Sequence, residues 1–496
     1  MASLAPPARR RTAWLLLTIF LLLTLVLGFV TSRPVPLPEV NEARFPCVSY
    51  APFRRMGHTP FDAKRVVTPA EIEADLRLLA SVTACIRTYG TDHGLDAVPG
   101  IAKTLGLRVV LGAWIGRDAE ANAREMARAI ELTRTHRDVI DLLIVGNEVM
   151  LRRELAPEAL AALLAEARQQ SAVPISYADV WAFWQRHAAV LAPQVDVVSA
   201  HILPYWEDEP VGIEDAIDYV YRKAAEVRQA FPGQPVFIAE TGWPAAGRQR
   251  GPAAPGRLEQ ARFVRELLAR HAAEPLHFNF IEGFDQPWKR ALEGEMGGAW
   301  GLFDAAGQLR VPLAGAVQPE PLLGALRWLA VPAVPILSHE GLKWSIGIGL
   351  LGLALLCAAA AALRLGLPSR KTGQWLNALL ALLLGLLAID ALWLLFDGRY
   401  RPLRWELAAM PLPFLLGLTW LGERLPARRW AQRPLALLTL ILGLLVIGYE
   451  GLANTQACLY GSLVGLLAAT SLLLYRPHRA SAFSSNADRS CNPPKG

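Results

Sequence analysis

The sequence predicts a (β/α)8 TIM barrel followed by an α-helical transmembrane region. Two observations predict the barrel. Eight short apolar or β-branched runs recur between residues 47 and 282, and helical stretches separate most of them. A third observation predicts the membrane region: five apolar segments succeed one another after residue 342. A doubly wound open sheet would also alternate strands and helices, but no Gly-rich phosphate turn comes after the first strand.

In chain order the eight runs are CVSYA, ACIRTY, RVVLGAW, LLIVGNE, PISYA, DVVSAHI, VFIAE and HFNFIE. The first helix, over 69–80, has the clearest signals. Thr68 and Glu71 make a capping box, Pro69 takes the first helical position, and Ile72, Leu76 and Leu79 share one face. Residues 119–136, 155–170, 212–230 and 257–272 have the same character.

Outside the barrel the chain is apolar. Residues 13–30 form an unbroken run behind Arg9, Arg10 and Arg11, long enough to span a bilayer and longer than the usual core of a signal peptide. The later segments are 344–363, 376–396, 405–421, 434–453 and 457–475; the third is short and carries Glu406, Pro411 and Pro413. The expected organisation is therefore a cytoplasmic N-terminus and anchor over 1–30 and a Pro-rich stalk over 31–44. The barrel occupies 45–320, a linker 321–343, five transmembrane helices 344–475, and a cytoplasmic tail 476–496.

The 496 residues are 53% hydrophobic and 19% charged, with a net charge of +6. This composition excludes a disordered chain, and five cysteines are too few for a disulfide scaffold. Residues 343–496 hold 15 basic and six acidic groups, whereas residues 31–342 hold 32 basic and 38 acidic ones. The barrel region is thus acidic, which argues against nucleic acid as a partner. Arginines concentrate in the loops assigned inside: Arg9–Arg11, Arg364 and Arg370, Arg424 to Arg433, Arg476 and Arg479. That bias predicts a barrel exported across the membrane, with Arg399, Arg401 and Arg404 as the one cluster against it. The lipid bilayer is then a partner.

In a (β/α)8 barrel the chemistry sits at the C-terminal ends of the strands. Glu148 ends the fourth strand after Asn147, and Glu240 ends the seventh. Tyr50, Tyr89, Trp114, Tyr177, Tyr205 and Glu282 stand at other strand ends. A paired carboxylate ringed by aromatics is what glycosidic bond cleavage requires, one group protonating the leaving oxygen while the other attacks or activates water. A lone Glu is usually a solvated surface charge; these two close buried-looking strands, where an unneeded carboxylate is costly. Trp114, Trp181 and Trp184 fit barrel packing as well as sugar platforms, and His201 fits a structural role as well as a site role. No His/Cys/Asp grouping has metal-ligand spacing, and neither a metal nor a cofactor is expected.

The segments IRTYG (86–90), VGNEV (145–149), AETGWP (239–244), FIEGFDQPWK (280–289) and WGLF (300–303) together resemble glycoside hydrolase family 17, the retaining β-1,3-glucanase family. The resemblance covers roughly 45–315 and has the five segments in the family's order. It implies that Glu148 is the general acid/base, kept protonated, and Glu240 the ionised nucleophile. It further implies that Asn147 binds the sugar 2-hydroxyl and that Tyr205 bonds near the nucleophile. Trp243, Glu282, Asp285, Trp288 and Lys289 would line the glucan cleft.

The whole architecture resembles a bacterial, membrane-bound, β-glucan synthase-like branch of that family. This implies a multi-pass inner-membrane protein with its barrel in the periplasm. A β-1,3-glucan oligosaccharide or polysaccharide would be the substrate, and a membrane glucan synthase a possible partner. The same glycosyl-enzyme serves a transglycosylase and a hydrolase, and both remain open; a non-catalytic glucan-binding scaffold is the third reading. The loop at 245–256 either shapes the acceptor side or is a mobile connection. Asp390, Glu406 and Glu450 either form a polar patch under the barrel or pair with Arg399, Arg401 or Arg404. Cys47 and Cys85 begin neighbouring strands, as a disulfide or as two separate thiols.

Overall fold

Strands form where the apolar runs stand: β1 (Cys47–Ser49), β2 (Cys85–Arg87), β3 (Arg108–Ala113), β4 (Ile140–Asn147), β5 (Ile175–Val180), β6 (Val197–His201), β7 (Val236–Thr241) and β8 (Phe278–Phe280). They are parallel and close in sequence order, with β8 against β1. This computed structural model describes residues 34–40, 44–317, 370–397, part of 401–416, and 432–474. The predicted anchor at 13–30, the segment 344–363 and the tail lie outside the described residues, and 405–421 is described only in part.

Helices return the chain between strands: α1 (Pro69–Leu79), α2 (Val98–Thr104), α3 (Ala119–Thr135), α4 (Pro157–Gln170), α5 (Trp181–Leu191), α6 (Ala216–Ala230) and α7 (Arg257–Ala273). The capping box of α1 is present in full, Glu71 accepting from the Thr68 backbone at 3.0 Å. The strands alternate between two apolar layers. Leu143 and Val145 belong to the same outer core as Ile72, Leu76 and Leu160 of the helices. Leu142 and Ile144 face the barrel axis with Val110, Ala178 and Ala239. Arg87, Ser49 and Asn279 sit out of step with helix-facing Ile86, Val48 and Phe280, so the barrel interior is polar towards its mouth. Cys47 and Cys85 are bonded to each other and join β1 to β2.

Two irregularities shape the mouth of the barrel. On β4, Ile144 pairs with Ser176 but Asn147 pairs with Ala178, so β4 carries an extra residue. On β7, Ile238 pairs with Ala200 but Glu240 pairs with His201, again one residue too many. Strict alternation would turn Glu240 outward behind inward Ala239; the bulge turns it into the mouth instead.

Beyond the barrel, α8 (Arg370–Asp397), α9 (Gln432–Glu450) and α10 (Thr455–Leu474) are each long and apolar enough to cross a membrane. They run over the predicted segments 376–396, 434–453 and 457–475. Their leucines point outward as well as inward, Leu382, Leu386 and Leu444 among the exposed ones. α9 and α10 touch backbone to backbone: a Cβ on Gly461 would lie 2.5 Å from the Gly443 carbonyl oxygen. Two glycines at the crossing allow this close approach, since neither carries a Cβ to hold the backbones apart.

Candidate active site

The bulges bring Glu148, His201 and Glu240 together at the mouth of the barrel. Glu148 Oε1 lies 3.1 Å from His201 Nδ1, and Glu240 Oε1 lies 3.7 Å from His201 Nε2. One carboxylate oxygen from each Glu and one imidazole nitrogen all lie within 4.8 Å of one another. Such a trio has the donors of a cation site. However, Arg87 and Tyr89 already occupy the Glu240 oxygen that faces the imidazole, at 3.0 and 2.9 Å. A cation there would have to displace a guanidinium and stand beside it.

Glu240 is fixed from several sides. Arg87 is buried in the barrel, donating to the Ala239 carbonyl at 2.7 Å, to Glu240 at 3.0 Å and to Asn147 Oδ1 at 2.5 Å. One guanidinium therefore ties the end of β4 to the end of β7. The Tyr89 hydroxyl bonds Glu240 and is itself 2.8 Å from Ser49 Oγ, which accepts from Asn279 Nδ2 at 2.7 Å. Burial first, then the Glu240 charge, pushes the Tyr89 hydroxyl far up, so it acts as a neutral donor.

Glu148 is held differently. It comes after Gly146 (φ 85°) and itself adopts φ 56°, the left-handed region that side chains rarely occupy. The turn after it is braced by Met150, whose amide donates to Tyr177 Oη at 3.0 Å and to Asp179 Oδ2 at 3.1 Å. Burial drives Asp179 up to about 6, against its bond from Tyr177. For Glu148, burial alone would raise the carboxyl, but the hydrogen bond and charge of His201, with Arg152 and Arg87, outweigh it and hold the group low. The expectation of a protonated Glu148 therefore has burial in its favour and the His201, Arg152 and Arg87 contacts against it.

Other expected residues take other places. Tyr205, expected near the nucleophile, is buried and gives its hydroxyl to the Arg248 carbonyl; Tyr89 holds the position at Glu240. Trp243 is fully buried against Phe263, with its indole N–H on the Ala254 carbonyl, and presents no face to a sugar. Asp285 is buried and paired with Arg310, and it also accepts from the Gly301 amide at 3.0 Å. Tyr50 is buried and faces Asp75 at 3.4 Å. A strand end carries side chains both into the mouth and into the helix layer, and these four take the second course or stabilise loops.

Glu282 and Lys289 are at the site and form a buried pair at 2.9 Å. Burial drives Glu282 up to about 7 despite the ammonium. Glu293 lies near enough to feel Lys289, Glu148 and Glu240, and burial pushes it up as well. Trp288 is half-buried, edge-on to Phe61, with its N–H on Gln286. Trp114 is 45% exposed with the Arg152 guanidinium 4.3 Å over its ring. Asn147 is buried under Arg87. Strand-end position alone does not single out Arg87, Ser49, Asn279 or Glu293. Arg87 had a signal: a cation inside an apolar strand is costly unless an anion awaits it.

Residues 47–301 match the model of the BtgE/BtgC glycoside hydrolase domain. The chain is 27% identical over 225 residues to the probable β-glucosidase btgE of Aspergillus fumigatus, a match covering 44% of this chain and 39% of that protein. It is 28% identical over 212 residues to the Emericella nidulans protein of the same name, covering 41% and 37%. The chain thus spans about two fifths of the length of the curated relatives it matches. Among solved structures, the family 17 β-1,3-glucanosyltransferase of Rhizomucor miehei aligns with a TM-score of 0.48 at 22% identity, covering 55% of this chain and 98% of that one. An endo-laminarinase from Formosa aligns with a TM-score of 0.45 at 20% identity, covering 53% and 83%.

Proposed function

The chain belongs to the family of the BtgE/BtgC glycoside hydrolase domain, and from that premise we propose that it is a membrane-anchored retaining β-glucan transglycosylase. One observation carries the reading: oxygens of Glu148 and Glu240 lie within 4.8 Å of each other, with His201 between them. Inverting enzymes keep their carboxyls roughly 6.5–9.5 Å apart to seat a water, and retaining ones about 5–5.5 Å. In this reading Glu240, oriented by Arg87 and Tyr89, attacks the anomeric carbon of a β-1,3-linked glucan. Glu148, 3.1 Å from His201, protonates the departing oxygen in its acid form. The glycosyl-enzyme then passes its sugar to an acceptor hydroxyl, which gives its proton back to Glu148. Exposed Trp114 offers the acceptor an aromatic face. The names of the fungal relatives favour a second reading, in which water takes the sugar.

The placement is part of the proposal. Three long apolar helices among the described residues, the arginine-rich loops assigned inside and the Cys47–Cys85 disulfide support a barrel on the oxidising side of a membrane. We read that membrane as a bacterial inner membrane, with a glucan synthase as the partner that would supply chains. Incubation of the purified full chain with β-1,3-gluco-oligosaccharides tests the chemistry. Products longer than the input support transfer, shorter ones alone mean hydrolysis, and no change means a scaffold. Reporter fusions at residues 200, 370 and 480 test the placement, since only the first should report export.

A further inference from the structure

We propose that the turn between α9 and α10 is a positioning element of the active site: it holds the loop beyond Glu240 and thereby sets how the second half of the reaction treats its acceptor. The proposal rests on the two-step reading above and adds to it a role for the apolar helices.

The loop over 245–256 leaves β7 just beyond Glu240, and of three successive residues in it the first two turn their side chains to the helices and the third to the barrel. Arg248 forms an ion pair with Glu450 at the end of α9, the two side chains being 3% and 11% exposed, and donates to the Arg401 carbonyl at 3.1 Å. Gln249 is gripped along its whole length. Its amide donates to Gln456 Oε1 at 2.8 Å, and its carbonyl accepts from Asn454 Nδ2 at 3.0 Å. Its side chain donates to the Ala453 carbonyl at 3.0 Å and accepts from Thr455 Oγ1 at 2.7 Å. Asn454 also donates to Glu450 Oε2 at 2.9 Å, so the same turn orders the carboxylate that holds Arg248.

The barrel side of this loop reaches the aromatic cluster of Tyr205, Trp206 and Trp300 beyond β6. Tyr205 donates to the Arg248 carbonyl, and Arg250 returns a bond to the Tyr205 carbonyl at 2.6 Å. The Arg250 guanidinium stands 5.2 Å over Trp206, whose ring lies parallel to Trp300. Residues 248–250 therefore act as a short lever between the membrane-helix turn and the Tyr205–Trp206 segment after β6. For Glu450 the structure shows a partner on the barrel, Arg248; Arg399 and Arg404 lie outside the described residues.

A glycosyl-enzyme is resolved by whichever nucleophile is held in line and whichever is kept out. A loop with both its amide and its carbonyl anchored holds one shape for an acceptor sugar; a loosened loop admits water. The first step, which uses Glu148, Glu240 and the donor, does not touch the turn.

The test uses the full chain in detergent with β-1,3-gluco-oligosaccharides, comparing wild type with Asn454→Ala and Glu450→Gln. Release of the leaving oligosaccharide measures the first step, and the ratio of lengthened to hydrolysed product measures the second. The expected result is a ratio lowered about threefold to tenfold, the scale of one net hydrogen bond, with donor cleavage unchanged. Combining Arg248→Glu with Glu450→Arg restores opposite charges and should restore part of the ratio lost in Arg248→Glu alone. An unchanged ratio overturns the proposal, and so does an equal fall in both steps with a lowered Tm, which marks plain stability. If wild type makes no lengthened product, the transferase reading fails on its own. The turn then predicts faster hydrolysis of the glycosyl-enzyme in Asn454→Ala, read from burst kinetics, and no acceleration overturns it.

Discussion

The ends of β4 and β7 carry the same side chain in opposite surroundings. Glu240 sits on a bulge in an extended strand, its side chain 6% exposed, and one of its oxygens accepts from both Arg87 and Tyr89. Glu148 sits beyond its strand at a positive φ, its side chain 25% exposed, with His201 as its side-chain hydrogen-bond partner. The first carboxylate is immobilised and beside a fixed positive charge; the second is more open and paired with a group that can take and return a proton. A nucleophile needs the former setting and a proton carrier the latter. The difference between the two strand ends, rather than the presence of two acids, is what supports the roles proposed for them.

The sharpest way to break that comparison is to remove each acid in turn. Glu240→Ala should cost at least about 10⁴-fold in kcat, whereas Glu148→Ala should cost about 10²–10⁴-fold. Azide added to each variant reads the roles by stereochemistry. A β-glycosyl azide from Glu148→Ala and an α-glycosyl azide from Glu240→Ala are expected, and the reverse pattern would exchange the assignments.

A second prediction concerns the guanidinium that joins the two ends. Arg87→Met leaves Glu240 buried without its charge partner, which should lower stability by about 3–5 kcal/mol. Thermal unfolding of the full chain measures it; an unchanged Tm would mean that the carboxylate is paired elsewhere.

The smallest effect is a displacement in pH. Burial raises Glu148, while the His201 hydrogen bond and charge, together with Arg152 and Arg87, lower it further than burial lifts it. His201→Leu leaves burial in command, so the Glu148 carboxyl rises and stays protonated to higher pH. The alkaline limb of kcat/KM, which reports the acid form of the free enzyme, should therefore move up. A limb that stays put or moves down would show that His201 does not govern Glu148.

The barrel was legible in the sequence because its signal is repeated: each strand is an apolar run, and each helix brings a cap or a stripe. Glu148 and Glu240 were legible because a carboxylate closing such a run has no cheap structural explanation. What escaped is the direction of side chains at the rims. Trp243 was expected to line the cleft and Tyr205 to bond near the nucleophile, but one packs on Phe263 and the other holds a loop. The bulges that aim Asn147 and Glu240 inward leave no mark in composition, because a single extra residue does not alter an apolar run. His201 could not be joined to the acids by spacing, since closure of the barrel, not sequence distance, makes β4, β6 and β7 converge on one point.

The hold of the helix turn on Gln249 bears on how this enzyme should be prepared. A soluble fragment ending near residue 317 would be the easier reagent to purify. It would also lose every partner that Gln249 finds at 453–456 and the carboxylate that neutralises Arg248. Water would take those places and the loop behind the nucleophile would relax. Assays on such a fragment would describe an untethered barrel, and the 496-residue chain in detergent is the preparation that keeps these contacts.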